Sequence, residues 1–98
     1  MDVMIEYDLV EGMDEEADRV RAVFLDEAAR WRPDRFTYRV LRKGPEGSSF
    51  VHLAWIDSKE TQQELFETDF FKEFDAGMQK VSGGTVHATP LFEWSPAE

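Results

Sequence analysis

Apolar and polar residues alternate loosely from Val3 to Val10, with Val3, Ile5, Tyr7 and Leu9 on one side and Met4, Glu6, Asp8 and Val10 on the other. A period of two is that of a strand. Gly12 interrupts it, and Ala17, Val20, Phe24, Ala28 and Trp31 then recur at three- and four-residue steps, the apolar stripe of a helix. Asp14, Glu15 and Glu16 crowd the first turn of that helix, and Arg30 and Arg32 its end, each sign complementing the dipole. Pro33 stops it.

"FTYRVLRK", from Phe36, reads as a second strand, "GPEGSS" as a turn and "FVHLAWI" as a third strand, together a hairpin. Asp57 is placed to cap the next helix, with Glu60 three residues on to complete a capping box. The Thr68-Asp69 pair offers a second cap, so that helix is expected to break before resuming at Phe70. Gly77 and the glycines at 83 and 84 end the helical region, "TVHATPLFEW" reads as a fourth strand, and the end of the chain as a frayed tail over residues 92–98.

The order β-α-β-β-α-β, joined by right-handed crossovers, gives an α+β domain of the ferredoxin-like kind over residues 1–98: four antiparallel strands with the helices on one face. Strands two and four fall at the edges, where Pro90 does not interrupt a central ladder. The helices cover one sheet face, and the other should alternate into polar residues if it meets water. Strand three does not. Phe50, Ala54 and Ile56 lie on one side and Val51, Leu53 and Trp55 on the other, with His52 the sole exception. Strand four is similar. A second copy packed sheet to sheet is the expected cover, and hence a homodimer.

Composition narrows the functional classes. A length of 98 residues fits one core, and 42% hydrophobic with 13% aromatic residues is the make-up of a folded domain. The formal net charge of −10 argues against nucleic acid and against anionic membrane surfaces. With no cysteine there is no disulfide, thiolate nucleophile or thiolate metal site. The N-terminal stretch lacks the pattern of a signal peptide, so a cytoplasmic location is expected.

The candidate site residues fall into two groups. Tyr7, Phe24, Trp55, Leu65, Phe66, Phe70, Phe71 and Phe74 are candidates to line a pocket that accepts an aromatic molecule. Core packing accounts for most such rings. Phe70 and Phe71, however, point about 100° apart on a helix, so one of them must meet a cavity, a partner or solvent. His52 and His87 are the side chains with an ordinary pKa near neutrality, and with Glu6 they are candidates to share a sheet face as a metal site or an acid–base pair, beside the plainer reading of two independent, hydrogen-bonded histidines. Arg39 and Tyr38 are candidates to orient a phenolate or carboxylate. The spacings carry no metal motif, nucleotide fingerprint or Ser-His-Asp order, so neither cofactor nor metal is expected.

The element order, and above all "AWIDSKETQQELFETDFFKEF" from Ala54, resembles the antibiotic biosynthesis monooxygenase-like domains of the dimeric α/β-barrel superfamily. The shared features are a tryptophan ending strand three, a short capped helix, a small polar break and a Phe-Lys pair opening the next helical segment. That resemblance implies a dimer with a pocket between sheet and helices in each subunit. It also implies either cofactor-independent oxygenation of polycyclic phenols or haem degradation. In the haem-degrading branch an asparagine stands on strand one, a tryptophan where this chain has Leu65 and a histidine near Asp75, and all three are missing. Haem degradation is therefore disfavoured. A histidine common in other members also falls on Leu65. The expected function is binding of a small apolar or aromatic molecule, with cofactor-free monooxygenation as the first enzymatic reading. Against it stand a non-catalytic ligand-binding or stress-response barrel and an acid–base isomerase or lyase.

Overall fold

The computed structural model describes residues 1–96. Its order is β1 (Asp2–Asp8), α1 (Asp14–Arg30), β2 (Phe36–Arg42), β3 (Ser49–Ile56), α2 (Lys59–Glu67), α3 (Asp69–Ser82) and β4 (His87–Leu91). The four strands form one sheet in the order β2-β3-β1-β4, every pair antiparallel, with β2 and β4 at the edges as expected. Both connections that cross a neighbouring strand carry helices, and α1, α2 and α3 cover the same sheet face. Among the described residues no helix is long and apolar enough to cross a membrane.

The break at Thr68 forms because its side chain satisfies both sides of it. The Thr68 hydroxyl donates to the Leu65 carbonyl at 2.7 Å and accepts from the Phe71 amide at 3.2 Å. It thereby closes α2 and caps α3 with one group. The cap of α2 differs from expectation. Ser58, not Asp57, accepts from the Thr61 amide, at 3.2 Å. Moving the cap one residue along puts Thr61 rather than Glu60 at the third helical position, so the expected box does not form. Helix α3 ends at Gly83, whose φ of 59° is left-handed, while the Gly84 amide donates to the Gln79 carbonyl at 3.1 Å.

Strand β4 is shorter than the sequence suggested. Its ladder with β1 runs from His87 opposite Glu6 to Leu91 opposite Asp2. Thr85 instead turns its hydroxyl to the backbone of Asp8, bonding both N–H and C=O at 3.1 Å. Phe92 and Trp94 lie beyond the ladder and stand 87% and 81% exposed.

One sheet face carries Val3, Ile5 and Tyr7 beside Phe50, His52, Ala54 and Ile56 and, from β2, Phe36, Tyr38 and Val40. Against it pack Ala17, Phe24 and Ala28 of α1 with Leu65, Phe74, Met78 and Val81 of α2 and α3. Phe24 is the hub: its ring stacks on Phe74 at 3.9 Å and meets Tyr38 edge-on at 4.8 Å. Such packed apolar area is the main favourable term in folding. The opposite face is open. Met4, Val51 and Leu53 are half-buried there, and Leu41, Trp55 and Leu91 are each 38% exposed.

Candidate functional site

Alternation along the strands places Tyr7, His52 and Tyr38 on the helical face, and hydrogen bonding joins them. The register sets Ile5 opposite His52 and Val40 opposite His52, so Tyr7 and Tyr38 approach the imidazole diagonally from the two flanking strands. The Tyr7 hydroxyl lies 2.8 Å from His52 Nε2, and the Tyr38 hydroxyl 2.8 Å from His52 Nδ1. Arg21 reaches in from α1 and donates from one guanidinium nitrogen to Tyr7 at 2.8 Å and from another to Asp18 at 2.6 Å. The result is a polar chain, Asp18–Arg21–Tyr7–His52–Tyr38, running through an apolar core. Its outer end is wet, since the Asp18 side chain is 72% exposed while that of Arg21 is 7% exposed. Its centre is dry, with His52 at 0%.

Burial sets the charge states. Removing His52 from water and placing Arg21 nearby push its pKa down from 6.5 to about 4, so the ring is neutral at physiological pH. Burial raises the Tyr38 hydroxyl well above its ordinary range, and the nearby Tyr7 adds to this. Tyr7 is also raised by burial, against the opposing pull of Arg21. The guanidinium of Arg21 further stacks over the Phe50 ring at 4.2 Å, which keeps a buried cation in contact with a π face.

The inner end of this chain meets a cavity of about 290 Å³ between the sheet and helices α2 and α3. Tyr38, Phe36, Ile5, Ala54 and Ala88 line it from the strands; Leu65, Phe66, Phe71, Phe74 and Met78 line it from the helices. Gln62, Asp75 and Gln79 supply its polar lining. The last two of these are exposed, so they form a rim. An apolar pocket with a few polar groups is the usual make-up of a small-molecule site.

Several residues singled out from sequence therefore meet here, and others do not. Leu65, Phe66, Phe71 and Phe74 border the cavity with Tyr38, whose hydroxyl is bonded to the buried His52. Tyr7 and Phe24 sit behind it in the core. Phe70 packs on Phe24 and Trp31, with centroids at 5.7 and 6.2 Å, which leaves Phe71 as the ring of that pair facing the cavity. Trp55 and Arg39 project from the opposite face of the sheet, because each is an odd number of residues from the inward positions of its strand.

The candidate shared face for His52, His87 and Glu6 does not form. Glu6 and His87 are paired across β1 and β4 on the open face, with Nε2 3.6 Å from the carboxylate, whereas His52 points the other way. Lys43 holds Glu6 more closely, at 2.9 Å, and lowers its pKa. No group of three or more metal-ligating side chains occurs among the described residues. Sequence reasoning missed Arg21. The signal was present: Ala17, Arg21, Phe24 and Ala28 are spaced four, three and four apart, so a charged residue occupies the most inward stripe of α1.

No family model matches the chain, and no curated protein matches it in sequence. Solved structures match its fold. A protein from Nitrosomonas europaea, provisionally assigned as an antibiotic biosynthesis monooxygenase, superposes with a TM-score of 0.75 at 12% identity, over 91% of this chain and 94% of that one. SnoaB, a cofactor-independent oxygenase from Streptomyces nogalater, gives 0.69 at 17% identity over 97% and 96%. A conserved protein from Methanosarcina mazei Go1 gives 0.78 at 11% over 90% and 86%. The chain thus has the ferredoxin-like fold of the antibiotic biosynthesis monooxygenase-like proteins, as the pattern beginning at Ala54 implied.

Proposed function

We propose that this chain binds a small apolar or aromatic molecule in the cavity between its sheet and helices α2 and α3, working as a homodimer joined through the open sheet faces. The cavity of about 290 Å³, bounded by rings and lined by Tyr38, which is bonded to His52, is the observation that supports the reading. Phe66 and Phe74 border the space without filling it, and a buried titratable ring stands next to its lining. Both features speak for a ligand and against a barrel that acts only by association. The apolar residues of the open face support the dimer, because Leu41, Trp55 and Leu91 would otherwise remain in water.

Within this reading, cofactor-free oxygenation of a phenolic substrate is the enzymatic form that the likeness in fold to SnoaB favours. Native mass spectrometry of freshly purified protein, followed by a denaturing run, tests the proposal. A dimer mass that releases an organic compound agrees with it. A monomer, or a protein that binds no aromatic compound supplied to it, contradicts it.

A further inference from the structure

We propose that Tyr38 determines which molecules the cavity accepts, because the buried chain Arg21–Tyr7–His52 fixes its hydroxyl as a hydrogen-bond donor. The preferred guest is a ring compound that presents a carbonyl-type oxygen to Tyr38 as an acceptor, whatever hydroxyl it carries elsewhere on its rings. This inference rests on the cavity being a ligand site.

The argument follows the protons outward from Arg21. A guanidinium only donates, so the Tyr7 oxygen is an acceptor in the 2.8 Å bond from Arg21. The Tyr7 proton must then go elsewhere. Tyr7 is 3% exposed, and the acceptor within reach among the described residues is His52 Nε2. An imidazole that accepts at Nε2 and is neutral carries its proton on Nδ1. That proton is donated to the Tyr38 oxygen, 2.8 Å away. Tyr38 is therefore an acceptor toward His52, and its own proton has no acceptor among the described residues. Tyr38 is among the residues lining the cavity, so in this proposal the unused proton serves a guest.

The opposite assignment reverses both bonds to His52 and is costlier. With the proton on Nε2, Tyr7 would accept from both Arg21 and His52 and leave its own proton unpaired in the driest part of the core. A buried donor without a partner is a larger penalty than one beside an open cavity. The two ends of the relay are thus unequal, and the free donor falls at the end where a ligand can use it. Its neutral character matters too. A guest oxygen bound here meets a phenol, not a cation, so an acceptor that carries no charge is suited to the site.

The test compares 1-tetralone with tetralin, ring systems that differ by a single carbonyl oxygen, and with 1-aminotetralin, which replaces it by a protonated amine. Titrations are followed by NMR in the wild type, Tyr38→Phe and Tyr7→Phe proteins. In the wild type, tetralone should bind about five- to tenfold more tightly than tetralin, the worth of one neutral hydrogen bond. In Tyr38→Phe, which removes only the hydroxyl, the two should bind equally. The amine should bind no better than tetralin. A long-range nitrogen spectrum of the ligand-free wild type should show His52 protonated at Nδ1, and this signature should change in Tyr7→Phe. Equal binding of tetralone and tetralin by the wild type overturns the donor assignment and leaves the cavity reading standing. Failure of all three to bind overturns both. His52 protonated at Nε2 overturns the proposal without reference to any ligand.

Discussion

His52 Nδ1 and the Tyr38 hydroxyl stand 2.8 Å apart where the buried polar chain reaches the apolar cavity. The contact ties the stability of the core to the character of the site, since the same imidazole is surrounded by Tyr7, Tyr38 and Phe74.

That burial makes stability depend on pH. His52 has a folded pKa of about 4 against an ordinary 6.5, so between these values the unfolded chain takes up a proton that the folded chain refuses. Stability should be flat with respect to this group above pH 6.5, fall as the pH drops toward 4, and lose on the order of 3 kcal/mol in all. Glu6 and Asp57 have lowered pKa values, so their effect adds only at the acid end of the range. Urea unfolding at a series of pH values checks this: the slope between pH 6.5 and 4 should be largely absent in His52→Gln.

Removing the ring should also cost stability at neutral pH. His52→Ala leaves a void and strands the Tyr7 proton, and a loss of about 2–4 kcal/mol is expected. The urea midpoint at pH 7.5 measures it. A change below about 1 kcal/mol would mean that the chain of hydrogen bonds contributes little to the core.

Gly77 of α3 packs directly against Val20 of α1. A Cβ at this position would lie 2.8 and 2.9 Å from the two methyls of Val20, a short branched side chain that cannot swing away. Helix propensity favours alanine by about 1 kcal/mol, but overpacking typically costs about 1–3 kcal/mol. Gly77→Ala should therefore lower the melting temperature, and adding Val20→Ala should recover much of the loss.

The open sheet face carries the proposed dimer. Leu53 is half-buried there in the middle of β3, flanked by Val51 and Trp55. Leu53→Glu places a charge at the centre of an apolar contact without touching the helical face. Analytical ultracentrifugation should show a dimer for the wild type and a folded monomer for the variant. Equal sedimentation of the two would remove the sheet-to-sheet arrangement.

Much of the architecture was legible because each strand and helix carries its own period. The four strands, the kink at Thr68 and the edge position of Pro90 all follow from local pattern and elementary topology. The cap at Ser58 and the early end of β4 were not legible, because both depend on one-residue choices settled by neighbouring elements. The same holds for the site. The parity of β3 puts His52 with Phe50, Ala54 and Ile56, but Val51, Leu53 and Trp55 are as apolar, so the pattern did not say which face the helices cover. His87 and Glu6 were therefore candidates to share a face with His52, although register places both on the other side. Arg21 escaped notice because the stripe was drawn through Val20, which meets α3 at Gly77, rather than through the position that points at the sheet.

The central claim is that the cavity beside Tyr38 receives a small aromatic molecule. Ala88 lines this cavity from the exposed edge strand β4, so Ala88→Trp can fill the space without disturbing the buried core. Isothermal titration of 1-tetralone into the wild type and Ala88→Trp proteins tests the claim most directly. One molecule bound per chain in the wild type, with binding abolished in the variant and its unfolding midpoint unchanged, is the predicted result. Equal binding by both proteins would place the ligand elsewhere and contradict the account.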